Sequence, residues 1–176
     1  MRSSFTTGPK SASFHPLVVV SWLAGGMISM IKIVVDAIDE QATLESVKSS
    51  RCGAALLFVG STRQFTGSRE TEQLKYECYE EMAVKVLSDL RRQAMEKWPL
   101  EACSLVHRVG TVEVGQASIA VAASSPHRID CFEALAWLMD QVKKQVPIWK
   151  QENWADGTRE WIHPGTRLAK DAAENG

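Results

Sequence analysis

SSPHRIDCFEALAWLMDQVKKQVPIWKQE, residues Ser124 to Glu152, holds one complete helix and the opening of the strand that follows it. Ser124 and Ser125 offer a hydroxyl cap, and Pro126 suits the first helical position, so the spacing predicts a helix over Pro126–Val146. Phe132, Leu135, Ala136 and Met139 recur at offsets that define an apolar stripe, and continuing the series puts Lys143 and Val146 on it. Lys143 is therefore expected to point inward, while Lys144, rotated about 100° away, is ordinary exposed charge. Pro147 ends the helix and turns the chain so that Lys150, flanked by Trp149 and Glu152, can fold back towards the same face.

Both ends of this helix carry candidate chemistry. At the start, free backbone N–H groups, the positive end of the helix dipole and the side chains of His127 and Arg128 converge where an anion could sit. Basic residues are electrostatically misplaced at a helix N-terminus, so their presence calls for an anionic partner. At the far end, a single lysine could simply snorkel or complement the C-terminal carbonyls. Two lysines held close and partly desolvated are different: each makes the other easier to deprotonate, which suits one of them to proton transfer near neutrality.

Moving towards the N-terminus, Ala117 to Ser124 and Ala102 to Val109 read as strands separated by turn signals at Gly110 and Gly115. The alanines of the first of these allow a helix to pack closely upon it. Ala83, Val86, Leu87, Leu90 and Ala94 mark one face of a helix that ends before Pro99. Glu72 to Tyr79 alternates as a strand, and the Gln64–Arg69 loop before it suits a flap. Ala54 to Val59 shows no polar alternation and reads as a strand covered on both faces, delivering Ser61, Thr62 and Arg63 into that loop. Arg63 could reach the lysines from another side, where its forked guanidinium would match a phosphate. Ile31 to Val35 is the first convincing strand, followed by a short helix over about 41–49. Beyond Glu152, a turn at Asp156-Gly157 and the run Arg159–Ile162 complete a hairpin. His107 and Arg108 repeat the His-Arg pairing within a strand, where alternation buries only one of them; His163 supports no assignment. Strands grouped with flanking helices make the fold class α+β rather than a regular alternating sheet.

The chain has 176 residues, enough for one domain with a substantial core. A formal net charge of −1 argues against general nucleic-acid binding, so any anion site must be local. Cys52, Cys78, Cys103 and Cys131 lie far apart with no CxxC pair, which argues against a structural zinc site and for a reduced, cytoplasmic chain. Residues 1–29 read as a flexible extension, with Leu17 to Leu23 resembling a signal-peptide core too short to span a bilayer. The domain is expected over 30–165, and 166–176 as a tail.

Four stretches together resemble the large, catalytic subunit of molybdopterin synthase. They are Phe58-Val59-Gly60-Ser61-Thr62-Arg63, Leu74 to Ala83, His107-Arg108-Val109-Gly110, and above all Ser125-Pro126-His127-Arg128 through Lys143 to Pro147-Ile148-Trp149-Lys150-Gln151-Glu152. The resemblance spans roughly Ile31 to Ile162 and implies an α/β-hammerhead domain. It implies conversion of cyclic pyranopterin monophosphate to molybdopterin, with sulfur delivered from the C-terminal Gly-Gly thiocarboxylate of a small ubiquitin-like subunit. By the same resemblance Lys143 and Lys150 are the catalytic pair. Phe58, Ser61, Thr62, Arg63, His127, Arg128, Met139, Gln151 and Glu152 line the pterin and phosphate site, which is completed across a homodimer within a heterotetramer. No metal or cofactor of its own is implied, nor any nucleic acid or membrane. Ser61 stands where lysine is frequent in the family, and Gln64 where asparagine is. Two other readings compete: a non-catalytic phosphate- or nucleotide-binding module, and a transfer enzyme that uses its own Cys78 or Cys131.

Overall fold

The computed structural model describes residues 19–24 and 27–162; the first eighteen residues, His163 and the expected tail lie outside these. The architecture is α+β, as expected, with two sheets and three helices among the described residues. The first sheet contains β1 (Val19–Ala24), β2 (Met27–Val34), β6 (Ala102–Arg108), β8 (Ala117–Ser125) and β3 (Ala54–Ser61), side by side in that order. Only the β2–β6 pairing is parallel. In the second sheet, β5 (Arg69–Cys78) pairs with β9 (Ile148–Trp154), and β9 pairs with β10 (Arg159–Ile162). The short strands β4 (Phe65–Thr66) and β7 (Gly110–Glu113) also pair with β5.

The helices are α1 (Glu40–Glu45), α2 (Glu80–Lys97) and α3 (Arg128–Gln145). Asp39 caps α1 through a 2.8 Å bond from the Ala42 N–H to its carboxylate. In α2 the buried stripe is Ala83, Val84, Leu87, Leu90 and Ala94, and the helix stops where Trp98 turns extended before Pro99. The main core lies between the first sheet and the pair α2–α3. It includes Ile31, Ile33, Leu87, Leu90, Leu105, Val121 and Leu138, with Tyr76, Cys78 and Ile148 of the second sheet packed onto it.

Several expectations change. β8, not β3, is the wholly buried strand: all nine of its residues are buried, whereas β3 lies at the sheet edge and leaves Phe58 39% exposed. The uninterrupted apolar run in β3 does have cover on both faces, Leu56 against the α2–α3 core and Ala55 and Leu57 against Leu44 of α1, but as an edge strand it is only partly buried. β2 begins at Met27, so the boundary drawn at residue 30 falls inside a strand, and β1, within the expected extension, pairs with it from Ala24↔Met27 to Val19↔Lys32. The Gln64–Arg69 segment closes as a hairpin through Gly67, whose φ of 60° suits a residue without a Cβ. Arg69 holds this hairpin to the β9–β10 turn, bonding Asp156 at 3.1 Å and lying 4.0 Å over the Trp154 ring.

Candidate active site

Ser125 organises the start of α3. Its hydroxyl donates to Asp130 at 3.1 Å and accepts the His127 N–H at 3.3 Å, so the helix begins at Arg128 with His127 at the cap position, two residues later than the Pro126 start. His127 and Arg128 are both exposed, and neither forms an ion pair among the described residues. The helix then runs back along β8, to which the Cys131 thiol bonds at the Ala123 carbonyl.

The buried face of α3 consists of Cys131, Ala134, Leu135, Leu138 and Val142. This corrects the expected stripe: Phe132 is 57% exposed, Ala136 is exposed and Met139 is half-buried. Lys143 falls outside the buried face and is exposed, contrary to the inward orientation its spacing implied. Five residues past Leu138, it stands about 140° around the helix from the centre of the packed stripe. Lys144 is exposed as expected.

Lys150 is the lysine that faces the interior. In the β5–β9 register it lies opposite Tyr76, and Glu152 lies opposite Leu74, so alternation puts all four on one face; Gln151, opposite Lys75, turns to the other. The Lys150 ammonium is 2.6 Å from Glu152 Oε1. Glu152 is only 1% exposed and its Oε2 has no hydrogen-bond partner. Glu152 therefore offers no free surface to a ligand within one chain, whereas the Lys150 side chain remains 34% exposed.

Tyr76 connects this sheet to the other. Its ring meets that of His107 edge-on at 5.4 Å, and its phenol lies near the Ser118 side chain. The Ser118 hydroxyl in turn donates to the Gly60 carbonyl at 3.1 Å. Burial raises the proton affinity of the Tyr76 phenol, with the nearby Ser118 opposing and the Glu152 charge adding to the rise. His107 is buried and its imidazole is driven down to about 4 by desolvation, against the pull of a 2.8 Å hydrogen bond to the Arg108 carbonyl. Sequence reading passed over Tyr76 and Ser118; the Leu74-Tyr76-Cys78 alternation was the available sign that Tyr76 faces inward.

From Gly60 the chain reaches the expected phosphate loop. The β3–β8 register shifts between Gly60 and Ser61, leaving Ser61 exposed. Thr62 is buried, bonded through its N–H to Gln116 and through its carbonyl to the Gly115 N–H, so it secures the loop rather than lining a cleft. Arg63 is exposed without an ion-pair partner among the described residues.

Arg63, Lys150 and the C-terminal turn of α3 thus share one end of the molecule. His127 and Arg128 sit at the other. Ala54 pairs with Ser125 and Ser61 with Ala117, which separates the Arg63 loop from the start of α3 by the length of β8. Along α3, Arg128 and Lys143 are about 22 Å apart at the helical rise. Phe58 shares the sheet face of Leu56, towards the helices. A 230 Å³ cavity bounded by Glu77, Trp149, Trp161 and Ile162 lies beside the Lys150 strand, and one of 330 Å³ opens at the Lys48–Ala55 loop.

Burial pushes the Cys78 and Cys131 thiols up to about 11 and Cys103 up to about 12, so all three stay protonated at neutral pH and are poor nucleophiles. This disfavours a transfer reaction through the protein's own cysteine. Among the described residues no group of three or more His, Cys, Asp or Glu converges as a metal would require, and no helix is long and apolar enough to cross a membrane.

The model of the MoaE protein family matches residues 33–145, which includes Lys143 and stops five residues before Lys150. The molybdopterin synthase catalytic subunit of Bacillus subtilis is 37% identical over 139 residues, covering 79% of this chain and 87% of that protein. The corresponding subunit of Culex quinquefasciatus is 41% identical over 128 residues, covering 72% and 82%. The crystal structure of molybdopterin synthase from Staphylococcus aureus superposes with a TM-score of 0.71 at 36% identity, covering 74% of this chain and 94% of that one.

Proposed function

The chain belongs to the MoaE family, that of the molybdopterin synthase catalytic subunits, and we propose that Lys150 and Lys143 carry its sulfur-transfer chemistry. As a sulfurtransferase it takes cyclic pyranopterin monophosphate and inserts two sulfurs as a dithiolene. The sulfur arrives on the thiocarboxylated C-terminus of a small ubiquitin-like subunit. The protein's task is then to hold an anionic substrate and move protons as the thiocarboxylate attacks and the acyl intermediate hydrolyses. Lysines serve that task, and a thiol of the large subunit is not needed.

One observation carries this reading: Arg63, Lys143 and Lys150 gather at one end of the β8–α3 unit, and of the three only Lys150 has an acidic partner among the described residues. Exposed cations left unpaired within the chain suit a phosphate-bearing substrate. Ser61 and Gln151 stand beside them in sequence, and Phe58 and Met139 supply apolar walls. His127 and Arg128 are too distant to join from the same copy, which supports a site completed by a second copy that brings its own helix start. Ile129 and Phe132, each 57% exposed beside that start, give such a copy an apolar seat. The working assembly is then a dimer of large subunits with a small subunit at each active end. Four unpaired cysteines favour a reducing compartment, and we assign the reaction to the cytoplasm.

The test uses the reconstituted reaction with thiocarboxylated partner and precursor. Lys143→Ala and Lys150→Ala each nearly abolish molybdopterin formation; Lys143→Ala leaves the thermal midpoint unchanged within about 3 °C, whereas Lys150→Ala lowers it because the buried Glu152 carboxylate loses its partner. Undiminished turnover in both would sink the catalytic assignment and leave the chain a binding module for phosphorylated ligands.

A further inference from the structure

Glu152 is out of place by ordinary rules of burial. A carboxylate 1% exposed with one oxygen unpartnered is costly, and a buried ion pair does not usually stabilise a fold better than apolar residues of the same size. What the pair achieves is geometric. Lys150 has four rotatable bonds and a side chain one-third exposed; by itself its ammonium would sweep a wide volume. The 2.6 Å contact to Glu152 ties it to a point fixed by the sheet interior.

That point is itself braced. Tyr76, the cross-strand neighbour of Lys150 and diagonal neighbour of Glu152, packs edge-on against His107 of the first sheet and lies near Ser118, which holds Gly60, three residues ahead of Arg63. A chain of contacts from Glu152 and Lys150 through Tyr76 and Ser118 to Gly60 therefore spans both sheets. It links the strand carrying the lysine to the strand carrying the arginine. No member between Lys150 and Arg63 is required to touch substrate.

We propose that Glu152 is a positioning residue: it fixes the Lys150 ammonium on a sheet face braced by Tyr76 against the first sheet. This differs from a substrate-lining role for Glu152, and it rests on the reading of Lys150 as catalytic. Misplacing a reacting group by about 1 Å can cost about 100-fold in rate. The loss should therefore fall on turnover rather than on substrate affinity.

The experiment measures kcat and KM for the precursor in the full complex with thiocarboxylated small subunit, for wild type, Glu152→Gln, Glu152→Asp, Lys150→Ala and the double variant Lys150→Ala/Glu152→Gln. Glu152→Gln lowers kcat about 100-fold with KM within about twofold. The double variant is no slower than Lys150→Ala alone, because the two residues act as one unit. A raised KM with intact kcat in Glu152→Gln, or losses that multiply in the double variant, overturns the proposal. Glu152→Asp keeps the charge and withdraws it by one methylene, so it carries the test should the amide destabilise the sheet; wild-type kcat in Glu152→Asp also overturns the proposal. Full activity of Lys150→Ala is a separate outcome, which removes the catalytic reading on which the proposal rests.

Discussion

His107 gives the interior a pH limit. Its imidazole stays neutral in the fold down to about 4, whereas the unfolded chain takes up a proton near the ordinary value of 6.5. Between those values the unfolded state binds more protons, so the stability contributed by neutral His107 is complete above 6.5 and is lost as pH falls towards 4. A melting series should show the midpoint declining across that window. His107→Phe, which keeps an aromatic ring against Tyr76, should flatten the decline. At this scale the sequence was legible in part: alternation said that only one of His107 and Arg108 is buried without choosing which, and the Pro147 turn brought Lys150 back towards the fold. Thr62 and Glu152 were not legible, because a short polar side chain in a loop and a carboxylate after a lysine look solvated until their partners across the fold are known. Glu152 is buried only because Leu74, its neighbour in register, belongs to the core.

Helix α3 shows how far element-level reading extends. Its existence, its direction and its end at Pro147 follow from caps and breakers, yet its buried face was chosen wrongly. Apolar residues cover more than half of its circumference: Cys131, Ala134, Leu138 and Val142 on one line, and Phe132, Ala136 and Met139 on the next, with Leu135 shared. Periodicity cannot select between adjacent stripes of similar hydrophobicity; the choice is made by β8, whose Ile119, Val121 and Ala123 share the main core with Ala134, Leu135, Leu138 and Val142. Leu138 is then the centre of the contact. Leu138→Ala should cost about 2–5 kcal/mol in urea unfolding, while Lys144→Ala stays within about 0.5 kcal/mol. The rejected stripe has its own use, since its exposed Phe132 and half-buried Met139 lead along the helix to Lys143.

For the whole molecule, the separation of the two cationic ends predicts complementation between copies. A chain with Arg128→Ala and a chain with Lys150→Ala are each expected to be inactive. Mixed after dissociation, half the dimers pair unlike copies, and each of these contains one site with both residues intact, so about one quarter of wild-type turnover returns. Recovery near zero after verified exchange would mean that Arg128 and Lys150 serve the same copy, or separate tasks. This arrangement was not legible in one chain's spacing, which shows His127 and Lys143 on one helix without saying that its two ends face different sites. The outer strand β1 was likewise hidden, because its apolar run is equally the signature of a leader peptide.

In the proposed dimer the eighteen residues of α3 act as a ruler. A helix one turn shorter would still cover β8, but it would draw the cationic ends about 5 Å closer and change the distance between the two reaction centres of a dimer. Natural variation in length should therefore accumulate at hairpin tips such as that around Gly67, while α3 keeps its count even where its side chains drift.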